Sequence, residues 1–262
     1  MQIPLAISPL IPRAALVTGG ARRLGRATAL ALAGAGFDIA LHYRDSATEA
    51  EATAAEIRAL GRRAVTLRAA LEQEAEVAGL LPAATAALGP LGVLVNNAST
   101  FERDEWDTAT RDGWDHHLEP NLRAPFLLSQ GFAAQLPAAA EGAIVNMLDQ
   151  RVWSLTPHFV TYTVSKAGLW ALTQSLALAL APKRIRVNGI GPGPAIPSPR
   201  QTEEQFALQA ASTPLGRGTS AGEVAGAILA ILALPAMTGQ MIALDGGQHL
   251  QWSPLRGQTL PE

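Results

Sequence analysis

Hydrophobic and polar positions along the chain fall into two alternating patterns. Short apolar runs occur at 14–19 (AALVTG), 37–43 (FDIALHY), 64–69 (AVTLRA), 92–97 (GVLVNN), 142–148 (GAIVNML), 185–190 (IRVNGI) and 240–246 (QMIALDG). Their brevity and β-branched content suit strands buried on both faces, and longer Ala-rich segments of helical period lie between them. Such alternation predicts βαβ units and a parallel sheet with helices on both faces. Seven strands with right-handed crossovers predict one α/β domain built on a doubly wound seven-stranded sheet. No repeat or linker interrupts the pattern, so 1–262 reads as a single domain with a peripheral leader (1–12) and a peripheral tail (251–262). The Pro/Gly-rich stretch GIGPGPAIPSPRQ (189–201) follows a strand and precedes helix, which predicts a loop over a site. The apolar run GLWALTQSLALALAP (168–182) is too short for a bilayer and predicts a buried helix.

Composition narrows the function classes. With 48% hydrophobic and 16% charged residues the chain is of the globular type with a large core. A net charge of −2 offers no basic footprint for nucleic acid. There is no cysteine, which excludes disulfides and thiolate metal sites and suits a reducing, cytoplasmic setting. The leader MQIPLAISPLIP lacks a basic n-region and carries three prolines, unlike a signal peptide. The five histidines are scattered, and adjacent His116 and His117 face different sides of a helix, so no metal site is expected. The acids of FERDEWD (101–107) read most simply as a solvated loop, with a border on the substrate pocket as the alternative, and Trp153 and Trp252 as core rather than pocket walls.

The first strand runs into TGGARRLGR (18–26) and then an Ala/Leu helix. A glycine turn between strand and helix lets backbone N–H groups approach a pyrophosphate, and the helix dipole favours its charge. Arg22 and Arg23 add positive charge to the turn unless they are simply solvated. At the end of the second strand an acid would hold the ribose of NAD, whereas an Arg there would pair with the 2′-phosphate of NADP. The chain reads HYRDSA (42–47), with Tyr43 in place of an acid, then Arg44, and Ser46 in reach. Arginine pairs well with phosphate, so NADPH is the expected cofactor, provided Asp45 points away.

The stretch NMLDQRVWSLTPHFVTYTVSK (146–166) holds one of the two tyrosines and one of the two lysines in the chain. Tyr162 and Lys166 are four residues apart and so share a helical face, and Asp149 precedes the tyrosine by thirteen. A free tyrosine titrates near about 10, and a lysine ammonium beside it favours the phenolate, making a usable proton donor. Asp149 either caps a turn after its strand or takes part in the chemistry. A carbonyl reductase stabilises a developing oxyanion with donor groups, and an ionised Asp149 would oppose that charge. Reduction of a C=N bond needs a proton on nitrogen instead, which an acid beside Tyr162 can help supply.

TGGARRLGR, VNNAS (95–99), Asn121 in EPNLRAPFLL (119–128), YTVSK (162–166), RVNGIGPG (186–193) and LDGG (244–247) follow one another in order. In this the chain resembles the short-chain dehydrogenase/reductase family over about residues 13–250. Arg23 in place of a middle glycine, Asp149 in place of a catalytic serine, LHYRDSATEA (41–50), NNASTF (96–101) and NMLD (146–149) resemble the pteridine reductase branch, and DGGQHL (245–250) the dihydromonapterin reductases. The resemblance implies a Rossmann-type domain, NADPH, and catalytic Asn121, Tyr162 and Lys166 joined by Asp149, with Asn121 holding a relay water. It places Gly19, Arg22, Arg23, Leu24, Tyr43, Arg44, Ser46, Asn97, Ala98, Ser99, Lys166, Pro192 and Gly193 on the cofactor. Arg23, Ser99, Phe101 and Tyr162 would meet the substrate, with Phe101 stacked on a pterin ring and the 193–205 loop closing over it. Ala70 stands where the family commonly has an adenine-binding Asp. The implied activity is reduction of a dihydropterin (dihydrobiopterin, dihydromonapterin or dihydrofolate) by a homotetramer that binds neither nucleic acid nor membrane. A carbonyl reductase acting on 3-oxoacyl or sugar ketones is the alternative, and a non-enzymatic nicotinamide sensor would not need Tyr162 and Lys166.

Overall fold

The computed structural model describes residues 6–198 and 200–251, so the first five residues of the leader, Trp252 and the rest of the tail lie outside the described residues. Seven strands form one parallel sheet: β1 (Ala14–Val17), β2 (Asp38–Tyr43), β3 (Ala64–Arg68), β4 (Val93–Asn96), β5 (Gly142–Met147), β6 (Ile185–Pro192) and β7 (Met241–Leu244). Their spatial order is β3-β2-β1-β4-β5-β6-β7. The expected fold class is therefore observed. Chain direction across the sheet reverses between β1 and β4, and the loops leaving these two strands diverge to open a crevice at their carboxyl ends.

Each strand divides its side chains between two cores, as a period of two requires. Ala15, Val17, Val93, Val95, Ala143 and Val145 face one way, against helices α1 (Arg23–Gly34), α2 (Ala47–Ala59) and α8 (Ala221–Ala233). Ala14, Leu16, Leu94, Ile144 and Val187 face the other, against α3 (Glu74–Leu88), α5 (Ala124–Gln135) and α6 (Val160–Leu180). Two shorter helices, α4 (Arg111–Leu118) and α7 (Glu203–Ala211), sit in the loops after β4 and β6.

Two expectations need correction. The path from β6 to β7 moves in the same direction across the sheet as β4 to β5 and β5 to β6, yet its helix α8 lies on the opposite face, beside α1. That crossover has the opposite hand to the others, so the right-handed rule fails there. The apolar stretch at 168–182 is helical to Leu180 but only half buried, because α6 leaves Leu178 exposed on the single chain.

Gly25 marks where the first turn is tightest. A Cβ there would fall 2.0 Å from the Gly19 carbonyl oxygen, which is backbone and cannot swing aside. Gly25→Ala should therefore force α1 away from the turn and destabilise the fold by about 1–3 kcal/mol, read as a lower urea midpoint.

Candidate active site

The loops after β1 and β4 are laced together by one buried hydroxyl. Thr18 Oγ1 accepts the N–H groups of Asn97 and Ala98 at 2.9 and 3.0 Å and lies 3.3 Å from the Val95 carbonyl, to which it donates. The Asn97 amide returns the contact, donating to the Thr18 and Gly19 carbonyls at 2.8 and 3.2 Å. On the other side His42 accepts the Gly19 N–H on Nδ1 at 3.1 Å, so its hydrogen is on Nε2, 3.0 Å from the Ala69 carbonyl. Burial holds the His42 imidazole below its ordinary range. Nothing in the local pattern signals this role, beyond the histidine's place near the end of a buried strand.

Along this turn a cleft is lined by Gly19, Arg22, Arg23, Leu24, Tyr43, Arg44, Ser46, Asn97, Ala98 and Ser99, which brings most of the expected cofactor residues together. Gly19 and Arg23 both adopt left-handed backbone, with φ of +61° and +53°. Arg44 does not stand alone. It donates to Asp45 at 2.8 Å and to Glu72 at 2.9 Å, and these partners raise its pKa further. Asp45 thus points toward Arg44 rather than away from it. Arg22 reaches outward, 3.6 Å from Glu49.

A second cleft shares Arg23, Leu24, Asn97 and Ser99 with the first and adds Phe101, Asp149, Tyr162, Lys166, Pro192 and Gly193. Arg23 spans the two, donating to the Ile196 and Pro197 carbonyls at 3.1 and 2.8 Å. The loop after β6 is clasped from the other side by Arg200, which donates to the Phe101 carbonyl at 2.6 Å and to the Glu102 carboxylate. Gln201, Phe206 and Gln209 from this loop and α7 complete the wall, and none of them was anticipated.

Tyr162, from the first turn of α6, donates to Asp149 Oδ2 at 2.9 Å. The other oxygen of Asp149 accepts the Arg151 N–H at 2.8 Å, capping the short turn Gln150–Val152. Asp149 therefore caps the turn, as one of the two sequence alternatives had it, and meets the Tyr162 hydroxyl with its other oxygen. The Arg151 guanidinium lies 3.8 Å from the same Oδ2 that meets the tyrosine. Lys166 is buried one turn along the helix, its Nζ donating to the Met147 carbonyl at 2.8 Å and lying 5.7 Å from the Tyr162 ring centroid. Burial pulls its pKa down to about 8, partly offset by the Asp149 charge.

Asn121 sits in a π-helical turn, Glu119–Arg123, between α4 and α5. Its amide donates to the Thr100 carbonyl at 3.0 Å and Ser165 Oγ at 3.1 Å, and its oxygen accepts the Thr100 N–H at 2.8 Å. The side chain thus ties the β4 loop to α6, and no hydrogen bond joins it to Lys166 among the described residues. Phe101 stacks on Phe159 with centroids 4.6 Å apart and planes 7° from parallel, so one of its faces is already covered.

Other expectations change here. Trp153 is not core: it is 44% exposed and stands edge-on to His249, 5.1 Å between centroids. The acids at 101–107 are not all solvated, because Asp104 bonds Thr161 and Glu105 bonds His158. No cluster of metal-ligating side chains occurs among the described residues, and none of their helices is long and apolar enough to cross a membrane.

Residues 19–249 match a family model described as enoyl-(acyl carrier protein) reductase. An uncharacterized oxidoreductase of Methylorubrum extorquens is 32% identical over 92% of this chain and 99% of its own length. The 3-oxoacyl-(acyl-carrier-protein) reductase of Staphylococcus aureus is 31% identical over 91% of this chain and 98% of its own. Among solved structures, FolM alternative dihydrofolate reductase 1 from Brucella suis in complex with NADP superposes with a TM-score of 0.90 at 43% identity, covering 94% of this chain and 99% of that one. With its single parallel sheet, glycine turn and Tyr162–Lys166 pair, the chain belongs to the short-chain dehydrogenase/reductase family.

Proposed function

We propose that the protein is an NADPH-dependent reductase that converts a dihydropterin to its tetrahydro form. The observation that carries this is the bond from the Tyr162 hydroxyl to Asp149 in a cleft walled by Phe101. A carboxylate at that point opposes an oxyanion but suits protonation of a ring nitrogen. The 43% identical alternative dihydrofolate reductase supports the same substrate class and cofactor.

The first cleft fits a dinucleotide. Gly19 is left-handed, Gly25 lets the start of α1 close on the Gly19 carbonyl, and Arg22, Arg23 and Arg44 line the cleft, Arg44 turning from Asp45 and Glu72 to meet a phosphate. When bound, the nicotinamide supplies the hydride that goes to the C=N carbon. Tyr162 gives its proton to the nitrogen, so the double bond becomes CH–NH. Asp149 holds the tyrosine hydroxyl and assists that delivery, while the Lys166 ammonium stabilises the negative charge left behind. Pro125 has no N–H, so the Asn121 carbonyl lacks an α-helical donor and is the atom on which a relay water hangs. Phe101, backed by Phe159 and with the Arg151 and Arg200 guanidinium groups 5.4 and 5.7 Å from its ring centroid, walls the pocket for the flat heterocycle. Arg23 reaches both clefts, and the loop between β6 and α7 covers the substrate. The exposed Val164 and Leu178 of α6 suit a homotetramer built through the long helices.

The 31% identity to a 3-oxoacyl reductase favours ketone reduction as the second reading. NADPH oxidation with dihydrobiopterin, dihydromonapterin and dihydrofolate, run beside ketones and 3-oxoacyl thioesters, separates the two. Dihydropterin turnover should fall by about 100-fold or more in Tyr162→Phe and Asp149→Ala. Turnover confined to ketones and unharmed by Asp149→Ser would refute the pterin reading. Arg44→Ala should raise the KM for NADPH by about 10- to 100-fold and leave that for NADH little changed, since only the former has the 2′-phosphate. The charged form of Lys166 is the useful one. The kcat/KM for cofactor, which reports the free enzyme, should therefore fall as pH rises through about 8.

A further inference from the structure

The segment after β4 that carries Phe101 ends against the start of α6. Phe159, the residue before that helix, adopts a left-handed φ of +58°, costly for a bulky side chain, and its N–H donates to the Asp104 carbonyl at 2.9 Å. The Asp104 carboxylate continues the contact. Both oxygens lie 3.3 Å from the Thr161 N–H, and Oδ2 also accepts the Thr161 hydroxyl. Negative charge at an unpaired helix N–H is favourable in itself.

Thr161 is fully buried, and its hydroxyl oxygen lies 2.7 Å from Nδ1 of buried His117. The geometry assigns the hydrogens. His117 Nε2 accepts the Glu102 N–H at 3.0 Å, so the ring hydrogen is on Nδ1, facing Thr161 Oγ1 and the Gly113 carbonyl. The threonine hydrogen is then committed to Asp104. A directed chain runs from His117 through Thr161, the residue before Tyr162, to Asp104. The His117 ring also stands edge-on to the Tyr162 ring, with centroids 6.0 Å apart.

We propose that Asp104, acting through Thr161, is a positioning residue that sets the Tyr162 hydroxyl and the Phe101 ring relative to each other. One carboxylate joins the strand-end segment bearing the aromatic wall to the helix start bearing the proton donor. The Phe101–Phe159 stack and the 4.7 Å edge contact between Phe101 and Tyr162 are the packing that this joint holds in register. The inference rests on Tyr162 as proton donor but not on the identity of the substrate.

Asp104→Ala, Asp104→Asn, Thr161→Val and Thr161→Ser in the full chain test it. The kcat, KM, Tm and solvent deuterium isotope effect are read on whichever substrate the wild type reduces. Asp104→Ala and Thr161→Val should lower kcat by about 10- to 100-fold and raise the isotope effect as proton delivery becomes limiting. The KM for NADPH should stay within about twofold. Asp104→Asn and Thr161→Ser, which keep an acceptor and a hydroxyl, should recover most of kcat. If Asp104→Ala does not fold, the two Thr161 variants decide. A lower Tm with unchanged kcat and isotope effect would reduce Asp104 to a helix cap and overturn the proposal. Tyr162→Phe runs alongside: full activity there would overturn the proton-donor reading and this inference with it. Loss there with indifference at Asp104 and Thr161 would overturn this inference alone.

Discussion

The Thr18 hydroxyl is the contact on which the rest of the crevice depends. Where β1 and β4 lie side by side, their continuing chains must part, and the backbone groups released from the ladder are left buried. One threonine satisfies three of them, two as acceptor and one as donor. Removing it would deprive the Ala98 N–H of this acceptor and leave the Asn97 N–H only the Val95 carbonyl beneath the glycine turn. The shape of both clefts follows, because Gly19, Asn97 and Ser99 are held where these two chains separate.

From that seam the site is assembled by a few long-range ties. His42 holds the turn from the side of β2, and Asn121 holds the β4 loop to α6 through Thr100 and Ser165. Lys166 is anchored to the end of β5 through the Met147 carbonyl, two residues before Asp149. The tyrosine and its carboxylate are therefore fixed from two elements that each have another anchor. Such redundancy keeps a hydrogen bond short and aimed when the loops around it move.

The sheet and the Tyr162–Lys166 pair were legible in the sequence because both depend on local spacing. A period of two wrote the strands, and one helical turn wrote the pair. Asp149 was legible as an anomaly, being a carboxylate where its neighbours argued for a donor. His42, His117 and Asp104 were not, since their partners lie 23 to 57 positions away and no local pattern records them. The hand of the β6–β7 crossover was equally hidden, because it depends on which face α8 meets. Trp153 misled for a simpler reason: aromatic bulk favours burial, and here the ring covers His249 and Trp170 at the rim instead.

The position of α8 reaches into how the chain folds. The apolar side of α1 is closed by a helix that begins roughly two hundred residues later in the chain. At about 5–20 residues per second, a ribosome needs ten seconds or more to produce that cover. Until then Ala29, Leu32 and their strand neighbours present an open hydrophobic face, while the core on the other side of the sheet already has α3, α5 and α6 to close it. The two halves of the core therefore mature in sequence, the second waiting on the last crossover. A high contact order of this kind slows folding and makes the unfinished chain a client for whatever shields nascent apolar surface.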